Sequence, residues 1–85
     1  MDQDSPRDGG SLDAELRTMV SELGNIPSDF DEKAHFYNDL GVPSVKALRL
    51  LVALEDRYGI QIRDEDFVEA TSLDALVSLI RRLVP

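Results

Sequence analysis

Between Asp39 and Tyr58 the chain reads DLGVPSVKALRLLVALEDRY. Leu40-Gly41-Val42-Pro43 is turn chemistry, because glycine tolerates a positive φ and proline fixes its own φ. From Ser44 to Tyr58 the residues favour helix for about four turns, and Gly59 then breaks it. At about 100° per residue, Ala47, Leu50, Leu51, Leu54 and Tyr58 share one face, which is the expected core stripe. Val45, Leu48 and Val52 form a second, smaller apolar strip roughly 100° or more from the centre of the first. One helix in a chain of 85 residues rarely buries both. The second strip is expected to stay partly exposed unless a neighbouring helix covers it, and exposed apolar residues beside charge mark partner sites. Lys46, Arg49 and Arg57 occupy the remaining side, a local basic edge. Ser44 puts a hydroxyl at the start of the helix, where the plainest role is an N-cap.

A chain of this length is expected to be one domain, burying roughly 60–65% of its unfolded surface, with little room for a deep cavity. Its net charge is −8, from 17 acidic and 9 basic residues. That balance argues against nucleic acid and against an anionic membrane surface, both of which need cationic protein. It is compatible with a partner bearing a basic patch, and equally with acid serving solubility. Cysteine is absent, which excludes disulfides and thiolate zinc sites and fits a reducing compartment. No apolar run approaches a membrane span, and the N-terminus is polar rather than signal-like. A soluble, cytoplasmic protein is expected.

Outward from the central helix, Met1–Gly10 reads as a flexible polar tail and residues 11–85 as one helical domain. Ser11 is a candidate N-cap, with Asp13 and Glu15 favoured in the first turn of the following helix. Leu12, Leu16, Met19, Val20 and Leu23 recur at helical spacing, giving a first helix over about 12–23, ended by Gly24 as a C′ glycine. Residues 25–38 form a long crossover in which Ile26, Phe30 and Phe36 pin the loop to the core. Beyond Gly59, Ile60 and Ile62 face inward from a short extended piece, and Asp64-Glu65-Asp66 opens a brief helical turn through Glu69. Thr71 or Ser72 caps a last helix, Asp74 completing a capping box with Thr71. Leu73, Leu76, Val77, Ile80, Leu83 and Val84 give that helix its apolar face. Three main helices, one short helix and no strand predict an all-α fold, a small four-helix bundle.

Catalysis finds little support in these residues. His35 stands alone, without a nucleophile or an orienting partner nearby, and reads as a loop-packing or surface histidine, as Tyr37 reads as packing. The three carboxylates at 64–66 lack the ligand spacing of a calcium loop, so no metal site is expected. There is no glycine-rich phosphate loop and no serine motif with a base.

The run Asp39-Leu40-Gly41-Val42-Pro43-Ser44-Val45, followed by Leu50, Leu51, Val52, Ala53, Leu54 and Glu55, resembles the acyl carrier protein signature DLG-x-DSL-x-x-x-x-L-x-x-x-LE. Tyr58-Gly59-Ile60, Ile62, Asp64-Glu65-Asp66 and Thr71-Ser72-Leu73 continue the likeness, which spans roughly Phe36 to Leu83. The resemblance implies a 4′-phosphopantetheine arm joined by a phosphodiester to Ser44. It implies a carrier that catalyses nothing and presents acyl thioesters to separate enzymes. Since the chain has no cysteine, any thioester it bears comes from such a cofactor. The implied partners are a phosphopantetheinyl transferase and acyl-loading and acyl-processing enzymes: ligase, synthase or transferase. By the same resemblance Val45, Lys46, Leu48, Arg49 and Val52 form the docking face. Leu50, Leu54, Phe67 and Ala70 line the acyl cavity, and the carrier is a monomer.

Two departures shape the expectation. Pro43 and Val45 replace the aspartate and leucine of DSL, deleting a carboxylate that helps the modifying transferase and its magnesium engage the carrier, so a tolerant transferase is expected. Lys46 and Arg49 stand where fatty-acid carriers are acidic, and base against a basic partner repels. A dedicated pathway, in polyketide, peptide-like or modified-lipid synthesis, is therefore expected over general fatty-acid synthesis. Gly41-Val42-Pro43-Ser44 lacks the Gly-Gly-His/Asp-Ser core of peptidyl carriers, which favours acyl cargo over peptidyl or aryl. A carrier-fold binding module without the arm is the alternative that Pro43 favours.

Overall fold

The computed structural model describes residues 9–84. It contains four helices in the order α1 (Gly9–Gly24), α2 (Ser44–Tyr58), α3 (Asp64–Glu69) and α4 (Leu73–Leu83), and the described residues include no strand. The architecture is the all-helical bundle that the apolar stripes require. α1 packs on both α2 and α4, and α3 packs on α4. Leu16, Leu54, Leu76 and Ile80, one or two from each long helix, are fully buried at the centre. None of the described helices is long and apolar enough to cross a membrane.

The first helix differs from expectation at both ends. It begins at Gly9, so Ser11 lies inside it and is not its N-cap, and Gly9 and Gly10 of the expected tail are helical. The rest of that tail, Met1–Asp8, lies outside the described residues, as does Pro85. Apolar periodicity has nothing to count before Leu12, so it places the start too late. At the other end Gly24 is still helical, and Asn25 takes the left-handed position at φ 58°. Asparagine is among the residues that tolerate this geometry. Gly24 is small for another reason. A Cβ there would lie 3.2 Å from Cγ2 of Val42.

The crossover is held by its own side chains and by α1. Phe30 and Phe36 are buried and Ile26 is half-buried. The Arg17 guanidinium donates to the carbonyls of Ser28 and Phe30 and lies 4.6 Å over the Phe30 ring. Ser21 Oγ donates to the Ile26 carbonyl. Phe36 N–H donates to the Thr71 carbonyl at 2.7 Å, and Asp74 N–H to the Glu32 carbonyl at 3.0 Å. These last two bonds seam the crossover to the start of α4.

Ser72, not Thr71, caps α4, its Oγ accepting from Ala75 N–H at 3.2 Å. Asp74 therefore sits one residue too early for a capping box, and its N–H serves the crossover instead. Leu79 is buried although it falls outside the expected stripe. α4 is covered by α1 on one side and α3 on another, so it buries a wider arc than a helix with one neighbour. Gly59 ends α2 in the left-handed conformation, its N–H donating to the Glu55 carbonyl. The Glu55 carboxylate accepts from Ile62 N–H at 2.9 Å, drawing Ile62 into the core while Ile60 stays half-buried.

Candidate functional site

Ser44 is the first residue of α2. The N-cap position belongs to Pro43, extended at φ −65° and ψ 140°, and no side chain caps the helix. This corrects the N-cap reading of Ser44. Proline's ring closes on its own nitrogen, so it starts the helix by fixed geometry; it has no side-chain acceptor, and only its carbonyl accepts, from Lys46 N–H at 3.0 Å. The Ser44 hydroxyl is left exposed and unused by the cap.

The backbone around it is firmly placed. His35 N–H donates to Asp39 Oδ2 at 2.8 Å, and His35 Nδ1 accepts from the N–H groups of Tyr37 and Asn38 at 3.2 and 3.1 Å. The His35 carbonyl accepts from Asp39 and Leu40. The histidine is thus the pin of the turn that leads into Gly41, which needs its left-handed φ of 71°. Val42 N–H then donates to the Phe36 carbonyl at 2.9 Å, and the Val42 side chain is buried. Ala47 is buried one turn into the helix. Ser44 is therefore carried between two buried anchors.

Its electrostatic setting suits an anion. The first N–H groups of a helix have no carbonyl one turn back, and the dipole is positive at that end. No acidic residue occupies the first turn of α2.

On the outer face of α2, Val45 is 66% exposed and Leu48 and Val52 are each 62% exposed. Among the described residues no neighbouring helix covers them. Arg49 is exposed beside them, and Lys46 is half-buried. Val68 on α3 is also exposed, an apolar position that periodicity did not single out because α3 is too short to show one.

A cavity of about 10 Å³ lies behind Ser44, between the end of α1, the crossover and the first turns of α2. Of the four residues expected to line one, Leu50 and Phe67 do so. Leu54 is fully enclosed in the central core. Ala70 borders a separate surface groove between α3 and α4, with Ser78 and Arg82. The remaining lining includes Gly24, Phe36, Tyr37 and Val42. Sequence reasoning missed these because only the folded crossover brings them to α2. At this size the cavity admits about one water-sized sphere.

The far end of α2 is locked to α1. Tyr58 Oη donates to Glu15 Oε1 at 2.8 Å, and Arg57 Nε lies 3.2 Å from the same oxygen. The Tyr58 hydroxyl, and then Arg57, hold the Glu15 carboxyl below its ordinary value. Burial, and then Glu15, push the Tyr58 phenol up. Among the described residues no group of three or more His, Cys, Asp or Glu side chains could hold a metal ion. The acids of 64–66 stand in the first turn of α3, where Arg63 pairs with Glu65.

The sequence model of the family described as "Phosphopantetheine attachment site" matches residues 14–80, which takes in α2, α3 and most of α1 and α4. The chain belongs to this family. A phosphopantetheine-binding domain is the site of covalent 4′-phosphopantetheine attachment, and such domains are typically carriers rather than catalysts. Membership implies a phosphopantetheinyl transferase and acyl-processing enzymes as partners. The residues at the head of α2 fit the group: an exposed hydroxyl free of the cap, at a helix N-terminus, with no acid in the turn.

Proposed function

We propose that this chain is an acyl carrier protein whose 4′-phosphopantetheine arm is joined to Ser44. It shuttles acyl intermediates between enzymes of a specialised pathway in the cytoplasm, as a monomer of one domain. The observation that carries the reading is Ser44 itself, an exposed hydroxyl at the first position of α2 that Pro43 relieves of capping.

When bound, the arm supplies the thiol that this cysteine-free chain lacks, and cargo rides on it as a thioester. The protein's own residues do the rest. Pro43 and the His35 turn hold Ser44 outward. The helix N-terminus steadies the phosphodiester. Val45, Lys46, Leu48, Arg49 and Val52 present a docking face next to it. Leu50 and Phe67 line the small cavity behind, so shelter for a chain longer than a few atoms requires Phe67, Tyr37 or Val42 to move.

The placing in a specialised pathway rests on Lys46 and Arg49, which would repel the basic docking surface that an acidic carrier helix suits. Acyl cargo is favoured over peptidyl or aryl by Gly41-Val42-Pro43-Ser44, which departs from the peptidyl-carrier core.

The test is intact mass after incubation with coenzyme A and a broad-specificity phosphopantetheinyl transferase, with Ser44→Ala alongside. A gain of one phosphopantetheine, absent in the variant, is the expected result. No gain with several transferases would instead favour an unmodified binding module, the reading that Pro43 allows.

A further inference from the structure

We propose that the outer face of α2 docks a partner protein whose contact surface is apolar at its centre and rimmed by carboxylates. The proposal deepens the carrier reading by naming the surface chemistry of the enzymes it serves.

Val45, Leu48 and Val52 make an exposed apolar strip that starts beside Ser44. Arg49 is one turn after Val45 and one before Val52, so it flanks the strip. Lys46 lies one turn before Arg49 along the same ridge. No Asp or Glu occurs between Asp39 and Glu55, and among the described residues neither Lys46 nor Arg49 has an ion-pair partner. The first acids that follow on α2 stand at its far end. Asp56 is exposed there, and the Glu55 carboxylate is bonded to Ile62 N–H.

This is the reverse of the chain's overall balance of −8. Positive charge is concentrated at the end of this face that adjoins Ser44. An apolar strip gives little orientation by itself, and two cations on one flank set the register by opposite charge. A polyanionic surface such as lipid is a poor match. Two cations contribute about 1 kcal/mol each at an anionic membrane, against repulsion from the rest of the molecule. A protein surface with a few well-placed carboxylates matches the pattern.

The probes are two amphipathic helical peptides with the same leucine face, one rimmed by glutamate and one by lysine. The isotope-labelled full chain is titrated with each, before and after phosphopantetheinylation, with amide shifts as the readout. Salt is kept near physiological, where a Debye length of about 8 Å mutes the long-range field of the acidic chain but not contact pairs. The glutamate peptide is expected to shift Val45, Leu48, Arg49 and Val52 and to bind there about tenfold more tightly than the lysine peptide. Lys46→Glu/Arg49→Glu is expected to invert that order. Tighter binding of the lysine peptide at α2, equal binding by both, or no shift on α2 with either overturns the proposal. So does concentration-dependent broadening of the same amides without peptide, which would assign the face to a second copy of the chain. Because the unmodified chain is titrated too, failure here is separate from failure to modify Ser44.

Discussion

Gly24 and Val42 touch so closely that a Cβ on the glycine would sit 3.2 Å from a Val42 methyl. The contact joins the end of α1 to the residue two before Ser44. Gly24→Ala would gain up to about 1 kcal/mol of helix propensity. It would also overpack a buried valine that is stiff at χ1, at about 1–3 kcal/mol. A net loss of about 1 kcal/mol is expected in urea unfolding. Transferase modification of Ser44 should slow in the same variant, because Val42 sets the height of the helix start. A gain in stability would show that Val42 yields.

The proposed phosphodiester on Ser44 would add negative charge at the positive end of α2. The modified chain is expected to be more stable than the unmodified one by about 0.3–1 kcal/mol at low ionic strength, shrinking as salt is added. Paired denaturation curves measure this. Equal stability at low salt would mean that the group stays in solvent, away from the helix end.

The Glu15–Tyr58 bond predicts an acid limb of stability. The folded-state pKa of Glu15 is lowered from 4.5, chiefly by the Tyr58 hydroxyl and then by Arg57. A lowered carboxyl contributes stability above its unfolded value, and that share is lost as pH falls through the folded one. The pair with Arg57 is about half exposed, so its share is small. Tyr58→Phe is expected to cost roughly 0.5–1.5 kcal/mol near neutral pH and to flatten the slope below pH 4.5. Tyr58, raised from 10.0 mainly by burial, adds the opposite limb, present below its unfolded value and lost as pH rises through the folded one.

His35→Ala removes the acceptor of two N–H groups in the turn before Gly41. Hydrogen exchange at Tyr37 and Asn38 should accelerate, with a stability loss of about 1–2 kcal/mol. Unchanged exchange at both amides would show that the backbone alone holds the turn.

The two apolar strips of α2 should separate cleanly. Leu54→Ala is expected to cost about 2–5 kcal/mol, since the side chain is fully buried. Leu48→Ala should stay within about 0.5 kcal/mol in stability while weakening any partner that uses this face. A large loss for Leu48→Ala would mean that it is covered in solution.

Local order along the chain is enough for every feature that lies within a few residues of itself. The inward stripe of α2, its exposed opposite strip, the glycine stop at Gly59 and the helical class all follow from local spacing and backbone preference. So does the candidacy of Ser44, since the run around it is contiguous. The rest emerged on folding, because each remaining feature needs segments far apart in the chain. Gly24 reads as a helix stop until Val42 packs on it. The edges of the cavity need the crossover folded against α1 and α2. Asp74 completes a capping box on paper, yet its N–H goes to Glu32, and Leu79 is buried because α4 has neighbours on two sides. Even the role of Ser44 turned on its neighbour, for an extended Pro43 starts the helix and leaves the hydroxyl to face solvent.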